Sequence, residues 1–320
     1  MIKKTFYSFR SISRFFFDNI SIIAIKSLPY EGTVSLVDIG AAGEIEPRWK
    51  PFSKILKYTG FEPDERSYKI LQNEKNNFLS YDILPFALSK SKDKVPINFC
   101  KKPQVSSFYK PNHNFLNRFS NSDRFSVVKT KSIKVVSLDS LNIQNADFIK
   151  IDTQGSELDI IKGSKNTLND VLGLEVEVEF LNLYKNQPLF GDICTILSKY
   201  GFEFFDYVNL CRWERNAHNS FGQCVFGDAI FLKSPEKLKF DKLSLKKISS
   251  YLSILLIYRR FDLIELVLKL ISKDDRKKFH KFENLFKKIK KRGKFVRKIF
   301  IFINSLFSLF GRSYRIHLIE

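Results

Sequence analysis

The chain has 320 residues and a mass of 37.5 kDa, enough for one well-packed domain of ordinary size with additional segments. Its composition, 44% hydrophobic and 28% charged, is that of a globular protein and argues against a disordered chain. The net charge of +20 indicates an anionic partner, either nucleic acid or an anionic membrane surface. The four cysteines form no C-x-x-C pair and there are only four histidines, so neither a metal site nor a disulfide framework is predicted.

Residues 1–32 are predicted to form a basic, aromatic N-terminal arm that is helical in part. The segment begins with positive charge, as a signal peptide does, but Arg14, Asp18 and Lys26 interrupt every apolar run. No hydrophobic region of usable length remains for a signal peptide. We therefore expect a cytoplasmic protein.

Residues 33–235 alternate short apolar runs with helix-like segments, which is typical of a parallel sheet covered by helices. The predicted strands are TVSLVDIG, YTGFEP, ILPFALS, ADFIKID, LGLEVEVEF, GFEFFDYVNL and CVFGDAIFLK, and the predicted helices are RWKPFSKILKY, ERSYKILQNEK, GSELDIIKGSKNTL and LFGDICTILSKY. The section from Val95 to Leu138 interrupts this alternation and is predicted to add strands and a long polar loop. We predict an α/β fold, a Rossmann-like sheet of seven mostly parallel strands with helices on both faces and an antiparallel final strand.

Three of the predicted strands end in a carboxylate. Asp38 ends the first strand and is followed by Gly40 and Gly43, whose spacing is not that of the G-x-G-x-x-G dinucleotide fingerprint. Glu62 ends the second strand, at the distance along the chain where nucleotide-binding sheets place the carboxylate that binds a ribose; Asp64 fits the role of helix cap better. Asp152 follows the central strand. Three carboxylates at one edge suit a cationic cofactor, and adenosine joined to a sulfonium is S-adenosylmethionine.

The segments LVDIGAAGEIEPRW, GFEPD, ILPFALS, VSLDSL, DFIKIDTQGSELDIIKG and LEVEVEFLNLYKNQPLF resemble the FkbM family of S-adenosylmethionine-dependent methyltransferases. The resemblance covers about residues 35–233, and its most specific parts are K-I-D-x-Q-G-x-E and E-V-x-F-x-x-x-Y. It implies methylation of sugar or polyketide hydroxyls. It also implies that Asp38, Gly40, Gly43 and Glu62 contact the cofactor and that Ala87 lies beside the adenine. Further candidate cofactor contacts are Ala41, Pro63 and Asp152. The first loop departs from the family pattern, because Ala41, Ala42 and Glu44 stand where relatives commonly carry a further Gly or Asn.

Transfer of a methyl group to a hydroxyl benefits from a base that accepts the proton, and three residues are candidates. Asp152 emerges at the end of a central strand, although it could instead order its loop together with Gln154. Glu177 matches the family's E-V-x-F segment, but its strand also carries Glu175 and Glu179 on the same face, where Lys150 could form a structural pair. His218, like His113, lies in a polar loop, and Tyr184 and Arg212 are candidate acceptor contacts.

The sequence predicts an S-adenosylmethionine-dependent O-methyltransferase acting on a hydroxyl of a sugar or glycoconjugate. A nucleic-acid or RNA methyltransferase is the first alternative, since the positive charge suits phosphate binding. The place of the Asn/Asp-Pro-Pro-aromatic tetrad of base-amine methyltransferases reads DTQG, which argues against nucleic acid. The second alternative is a non-catalytic, cofactor-binding partner protein.

The C-terminal segment, residues 236–320, is predicted to be a helical and basic extension that begins with an αα-hairpin. Near its end a Lys/Arg-rich run leads into the apolar stretch Ile299 to Phe310, which is too short to span a bilayer. This stretch is either a core helix or an interfacial anchor. The second reading predicts a peripheral enzyme at the inner face of the cell membrane.

Overall fold

The computed structural model describes residues 17–43, 45–74, 76–91, 93–143, 145–215 and 222–291. It divides the chain into two compact units. Within the described residues, the first unit comprises 17–33, Glu46–Ile55 and 239–291, and the second comprises the rest of the chain from Val34 to Leu238. The second unit is therefore interrupted, between its first two strands, by a short segment that folds with the first.

The strands of the second unit are β1 (Val34–Ile39), β2 (Leu56–Phe61), β3 (Ser80–Leu84), β4 (Ala87–Leu88), β5 (Asp93–Cys100), β6 (Val127–Val136), β7 (Phe148–Ile151), β8 (Gly173–Glu179), β9 (Phe202–Trp213) and β10 (Gln223–Lys233). Its helices are α2 (Glu65–Gln72), α3 (His113–Leu116), α4 (Glu157–Lys162), α5 (Thr167–Asp170) and α6 (Phe190–Ser198). In the first unit, α1 covers residues 17–26, α7 is Leu245–Ile257, α8 is Phe261–Leu270, α9 is Lys273–Lys278, and residues 280–291 form α10.

Seven strands form one sheet in the order β3-β2-β1-β7-β8-β10-β9. The pairs from β3 through β8 are parallel, and β10 runs antiparallel to both of its neighbours. The predicted seven-stranded sheet with an antiparallel final strand is therefore confirmed. The section predicted to add strands does so, because β5 and β6 pair antiparallel and, with β4, make a separate three-stranded sheet.

One face of the large sheet is apolar and carries the core of the second unit. Alternate residues of β1, β7 and β8 point to this face and pack on α4, α5 and α6: Val37, Ile39, Ile149, Ile151, Leu174, Val176 and Val178 against Ile160, Ile161, Leu168, Ile193 and Leu197. The residues between them point to the opposite face and are polar or charged: Asp38, Lys150, Glu175, Glu177 and Glu179. As predicted, the three acids of β8 thus share one face.

Prolines account for two differences between the predicted and observed elements. The predicted helix RWKPFSKILKY contains Pro51 and follows Pro47, and the structure places only a 3-10 helix at Lys50–Ile55, followed directly by β2. The predicted strand ILPFALS is divided at Pro85, which has no N–H to donate to a strand ladder. Its two halves belong to different sheets.

The first unit is helical, as predicted for the C-terminal extension and for part of the N-terminal arm. Helix α7 is buried from Ile248 to Ile257. Its Ser253 hydroxyl donates to the carbonyl of Gly32 at 2.7 Å, and its Ser250 hydroxyl donates to that of Thr33 at 2.7 Å, so the end of the N-terminal segment is bound to this helix. No helix in the described part of the chain is long and apolar enough to cross a membrane.

Candidate active site

The turn after β1 lies tightly against the loop after β7. Gly40 has a φ of +84°, and a Cβ at this position would lie 1.9 Å from the carbonyl oxygen of Asp152. The backbone N–H groups of Gly40 and Ala41 donate to the carbonyl of Phe61 at 3.0 and 3.1 Å, and the N–H of Asp152 donates to that of Ile39 at 2.9 Å. The ends of β1, β2 and β7 are thus joined at the carboxyl edge of the sheet, where open α/β sheets bind ligands.

Glu62 follows β2 directly and is almost completely buried, with 5% of its surface exposed. Its Oε1 accepts the N–H of Asp64 at 2.7 Å, and the backbone N–H of Ala42 also hydrogen-bonds to the carboxylate. Burial raises the pKa of Glu62 above its ordinary value, and these hydrogen bonds oppose the shift. Asp64 accepts the N–H of Arg66 at 2.9 Å and caps α2, as predicted. Glu62 is therefore positioned beside the first glycine turn rather than used as a helix cap.

Lys150 lies between two of the three carboxylates that were expected to form the anionic edge. Its Nζ is 3.8 Å from Oδ1 of Asp38 and 3.4 Å from Oδ2 of Asp152. The hydroxyl of Tyr58 donates to Oδ2 of Asp38 at 2.8 Å, and burial together with this carboxylate raises the pKa of Tyr58. Lys150 therefore adds a cation beside two of the three predicted carboxylates. The register also places Lys150 opposite both Asp38 and Glu175 in the neighbouring strands.

The loop after β7 is a tight turn stabilised by a buried carboxylate. Gln154 and Gly155 both have positive φ values, +59° and +101°. Oε1 of Glu157 accepts the N–H and the hydroxyl of Thr153 at 2.9 and 3.0 Å, and the N–H of Gly155 at 3.2 Å. Burial raises the pKa of Glu157 to about 7, and these hydrogen bonds oppose the shift. A non-glycine residue in the left-handed region, as at Gln154, is strained and is held there by its surroundings.

The Gln154 side chain connects the buried groups of this region. Its Nε2 donates to Oε2 of Glu177 at 2.6 Å and lies 3.4 Å from Oδ1 of Asp152. Its Oε1 accepts the hydroxyl of Tyr184 at 3.2 Å, and its backbone carbonyl accepts the hydroxyl of Ser107 at 2.6 Å. Ser107 belongs to the section inserted between β4 and β7, so this section contributes directly to the site.

Glu177 and Glu179 are buried carboxylates with pKa values well above the ordinary one. Burial is the main cause for both, and neighbouring acids, Asp152 among them, raise both pKa values further. Asp152 differs from them in exposure, since 34% of its side chain is accessible. A base must reach its substrate, so the exposed carboxylate has the better position.

The remaining predicted residues fall at several places. Ala41 and Ala87 are buried, Ala87 within β4, and Pro63 is exposed. Gly43 has a φ of +110° with open space where a Cβ would lie. His218 lies outside the described residues. The roles assigned to these residues stay predictions.

Tyr184 is less accessible than expected of an acceptor contact, whereas His113 is as exposed as a polar loop residue was expected to be. Tyr184 is fully buried, and its hydroxyl donates to the carbonyl of Val105 at 3.0 Å and also contacts Gln154. It therefore helps to fix the position of Gln154. His113 is exposed and begins the short helix α3. Among the described residues, no group of three His, Cys, Asp or Glu side chains is arranged to hold a metal ion.

Two contributors were not recognised from the sequence. Tyr58 reaches Asp38 only because β1 and β2 pair in a particular register, and Ser107 reaches Gln154 across a separation of 47 residues. Neither belongs to a local motif. The Asp-x-Gly corner and the K-I-D-x-Q-G-x-E segment were the available signals, and they identified only the partners of these two side chains, Asp38 and Gln154.

The edge has the features of a nucleoside-binding site. Gly40 lets the turn after β1 lie against the backbone of Asp152, where a side chain would clash, and no atom lies within 4 Å of the position of a Cβ at Gly43. Glu62 is a buried carboxylate at the position that binds ribose hydroxyls in nucleotide-binding sheets. Together with the strand order and the single antiparallel strand β10, this defines a Rossmann-like, class I methyltransferase fold.

Comparison with known proteins identifies the family. The Methyltransferase FkbM domain model matches residues 39–204, and the chain belongs to this family. Similar solved structures include the methyltransferase FkbM from Methylobacillus flagellatus KT, with 15% identity, a TM-score of 0.38 and coverage of 65% of this chain and 47% of that one. Another is magnesium protoporphyrin IX methyltransferase (ChlM) from Synechocystis PCC 6803 with bound SAM, with 10% identity, a TM-score of 0.34 and coverage of 71% and 82%.

The chain spans about half the length of the Methylobacillus protein. No curated protein matches the chain.

Proposed function

We propose that this protein is an S-adenosylmethionine-dependent O-methyltransferase that modifies a hydroxyl of a sugar or glycoconjugate, with the activity carried by residues 33–235. Family membership supports the reaction class. The observation that carries the proposal is the contact of Gly40 with the carbonyl of Asp152. This close approach supports the proposal, because the glycine turn after β1 and a partly exposed carboxylate meet at the same point of the sheet edge.

The chain's own residues have distinct roles in this proposal. Glu62 binds the two ribose hydroxyls, and the backbone from Gly40 to Gly43 lies against the cofactor, which supplies an activated methyl group when bound. Asp152 accepts the proton of the acceptor hydroxyl as the new bond forms. Alignment of the acceptor with the methyl group is expected to supply much of the rate.

Gln154 and Glu177 position the base. Glu177 is buried and its Oε2 is bound by the amide of Gln154, so it is directed at Gln154 rather than at an acceptor. Gln154 in turn lies 3.4 Å from Asp152. Lys150, 3.4 Å from the other oxygen, holds Asp152 from the opposite side.

A hydroxyl acceptor is supported by the presence of a carboxylate at this position, because an alcohol must lose its proton during transfer. The turn reads Asp152-Thr153-Gln154-Gly155 and contains no proline. Enzymes that methylate base amino groups typically carry an Asn/Asp-Pro-Pro-aromatic tetrad here. This difference favours a hydroxyl over a nucleic-acid base.

Calorimetry with S-adenosylmethionine on a Glu62→Ala variant tests the cofactor site. Charge-assisted hydrogen bonds contribute about 1.5–3 kcal/mol each, so the affinity should fall at least about tenfold. The control is Glu65→Ala, an exposed acid of α2 that pairs only with Lys69 among the described residues. Equal affinity in both variants would remove the ribose assignment.

Mass spectrometry of surface glycans with and without the protein then tests the acceptor class.

The C-terminal tail is proposed to hold the enzyme at an anionic membrane, near lipid-linked or membrane-assembled glycans. The stretch Ile299 to Phe310 lies outside the described residues, and the proposal rests on its sequence. Flotation with anionic liposomes should be compared between the whole chain and one ending at Lys291, which keeps the buried Phe282 and Phe286. Equal flotation of the two chains would refute the membrane role.

A further inference from the structure

A cationic cleft lies in the second unit between the inserted section and the end of the β9–β10 hairpin. It is lined by three arginines, two aromatic side chains and a few small or acidic residues: Arg124, Arg212, Arg215, Phe119, Trp213, Ser120, Asn121 and Glu214. The cleft includes none of the residues already assigned to the cofactor or to the base. Of its members, only Arg212 was considered from the sequence, as a candidate acceptor contact.

Aromatic rings hold two of these arginines in place. The guanidinium of Arg124 lies 4.7 Å from the ring centroid of Trp213 and 5.2 Å from that of Phe125. The guanidinium of Arg215 lies 5.3 Å from that of Phe119. A stacked guanidinium keeps its N–H groups in its own plane, where they remain able to bind an oxyanion with two parallel hydrogen bonds.

The charge of the cleft is only partly balanced. Within the described ranges of the chain, no carboxylate lies within ion-pair distance of Arg124 or Arg212, and the buried Nε of Arg124 has no hydrogen-bond acceptor. Arg215 donates to the side-chain oxygen of Gln223 at 2.9 Å, a neutral acceptor. Glu214 is the one acid among the lining residues, against three arginines. The cleft therefore keeps a net positive charge and an unused buried donor.

A short series of contacts connects the cleft with the proposed base. The rings of Trp213 and Phe125 are 6.0 Å apart, and those of Phe125 and Tyr184 are also 6.0 Å apart. The hydroxyl of Tyr184 donates to Gln154, whose amide lies 3.4 Å from Asp152. Trp213, which lines the cleft, is thus connected through the ring of Phe125 to Tyr184, the residue that binds Gln154.

We propose that this cleft binds an oxyanion of the acceptor, so that the substrate is an anionic saccharide carrying a phosphate or carboxylate group rather than a neutral sugar. The inference rests on the proposed function, because the bound saccharide is taken to be the acceptor of that reaction. It also explains part of the chain's positive charge without nucleic acid.

Calorimetry on the full chain, saturated with the unreactive product S-adenosylhomocysteine, tests this inference. The probes are glucose 6-phosphate, glucuronate, glucose and inorganic phosphate. We expect at least one of the two anionic sugars to bind at least about tenfold more tightly than glucose, since bonds between charged groups are about twice as strong as neutral ones. The tighter of the two identifies the source of the oxyanion.

Arg212→Gln and Arg124→Gln should each weaken that binding about tenfold or more. Arg212 is exposed, so its replacement tests the site even if loss of the stacked Arg124 disturbs the fold. The matched control is Arg118→Gln, an exposed arginine stacked at 5.2 Å on Phe115 that does not line the cleft. It should leave the affinity unchanged.

Three results would overturn the inference: equal binding of glucose and both anionic sugars, unchanged affinity in Arg212→Gln, or inorganic phosphate binding as tightly as the preferred sugar. Binding of S-adenosylhomocysteine is measured first and separately. If the cofactor product binds and no anionic sugar does, the cleft inference fails alone. If the cofactor product does not bind, the proposed function itself fails.

Discussion

Replacement of Gly40 by alanine should damage both the fold and the site. The new Cβ would lie 1.9 Å from the carbonyl oxygen of Asp152, and the φ of +84° is one that residues with a side chain rarely adopt. Left-handed backbone costs about 1–2 kcal/mol, and overpacking against a fixed neighbour costs typically about 1–3 kcal/mol. We expect Gly40→Ala to lower the free energy of unfolding by roughly 2–5 kcal/mol in urea denaturation.

Gly43→Ala is the matched control, because it carries the backbone strain without the clash. Its φ is +110°, and no atom lies within 4 Å of the position of a new Cβ. It should cost only the left-handed conformation, about 1–2 kcal/mol. Gly40→Ala should also lose cofactor affinity, since the turn and the loop of Asp152 must separate. If both variants are equally stable, the close approach of the two loops is not what requires glycine at residue 40.

Two further predictions concern the carboxylates of the site. Asp152→Asn should lower turnover by about two orders of magnitude or more at nearly constant cofactor affinity, as expected for a general base. Glu177→Gln should lower turnover less than tenfold. If steady-state kinetics give the opposite ranking, Glu177 is the base and Asp152 is not. Burial raises the pKa of Glu157 from 4.5 to about 7, so the folded state retains a proton that the unfolded state releases. The resulting stability is present below about pH 4.5 and is lost as the pH rises to about 7, by at most roughly 3 kcal/mol. Glu157→Gln keeps an oxygen for the N–H groups of the turn and should flatten this decline in urea titrations at about pH 5 and about pH 8; an unchanged slope would contradict it.

The elements that could be predicted are those with a local cause. A central parallel strand is buried on both faces, so its sequence is a nearly continuous apolar run, as around Phe148–Ile151. The Asp-x-Gly corner at Asp38 marks the end of a strand by its own local sequence. The cap at Asp64 is equally local. Prolines 47, 51 and 85 can also be read in the sequence. A proline has no N–H to donate, which explains why a full helix does not form around Lys50–Ile55 and why the predicted strand ILPFALS is divided.

The parts that could not be predicted depend on which strands become neighbours. Lys150 meets Asp38 because β7 pairs with β1, and residues 40 to 147 separate these strands in the chain. A pattern in the sequence shows that Lys150 is on a buried strand, but not whether its partner is on β1 or β8. The arginine cleft is similarly non-local, since Arg124 and Trp213 belong to distant segments. Its residues carry no motif, and only the packed aromatic rings bring them together.

The segment Glu46–Ile55 has a consequence for how the chain folds as it is made. Trp49 is buried, its indole N–H donates to the hydroxyl of Tyr258 at 3.2 Å, and 209 positions separate the two residues. At a synthesis rate of about 5–20 residues per second, Trp49 waits roughly 10–40 s for this partner. During that interval the buried surfaces of Trp49 and Phe52 are exposed on an incomplete chain, between two strands whose own pairing is already possible. The nascent chain is therefore expected to be most prone to aggregation before Tyr258 has left the ribosome.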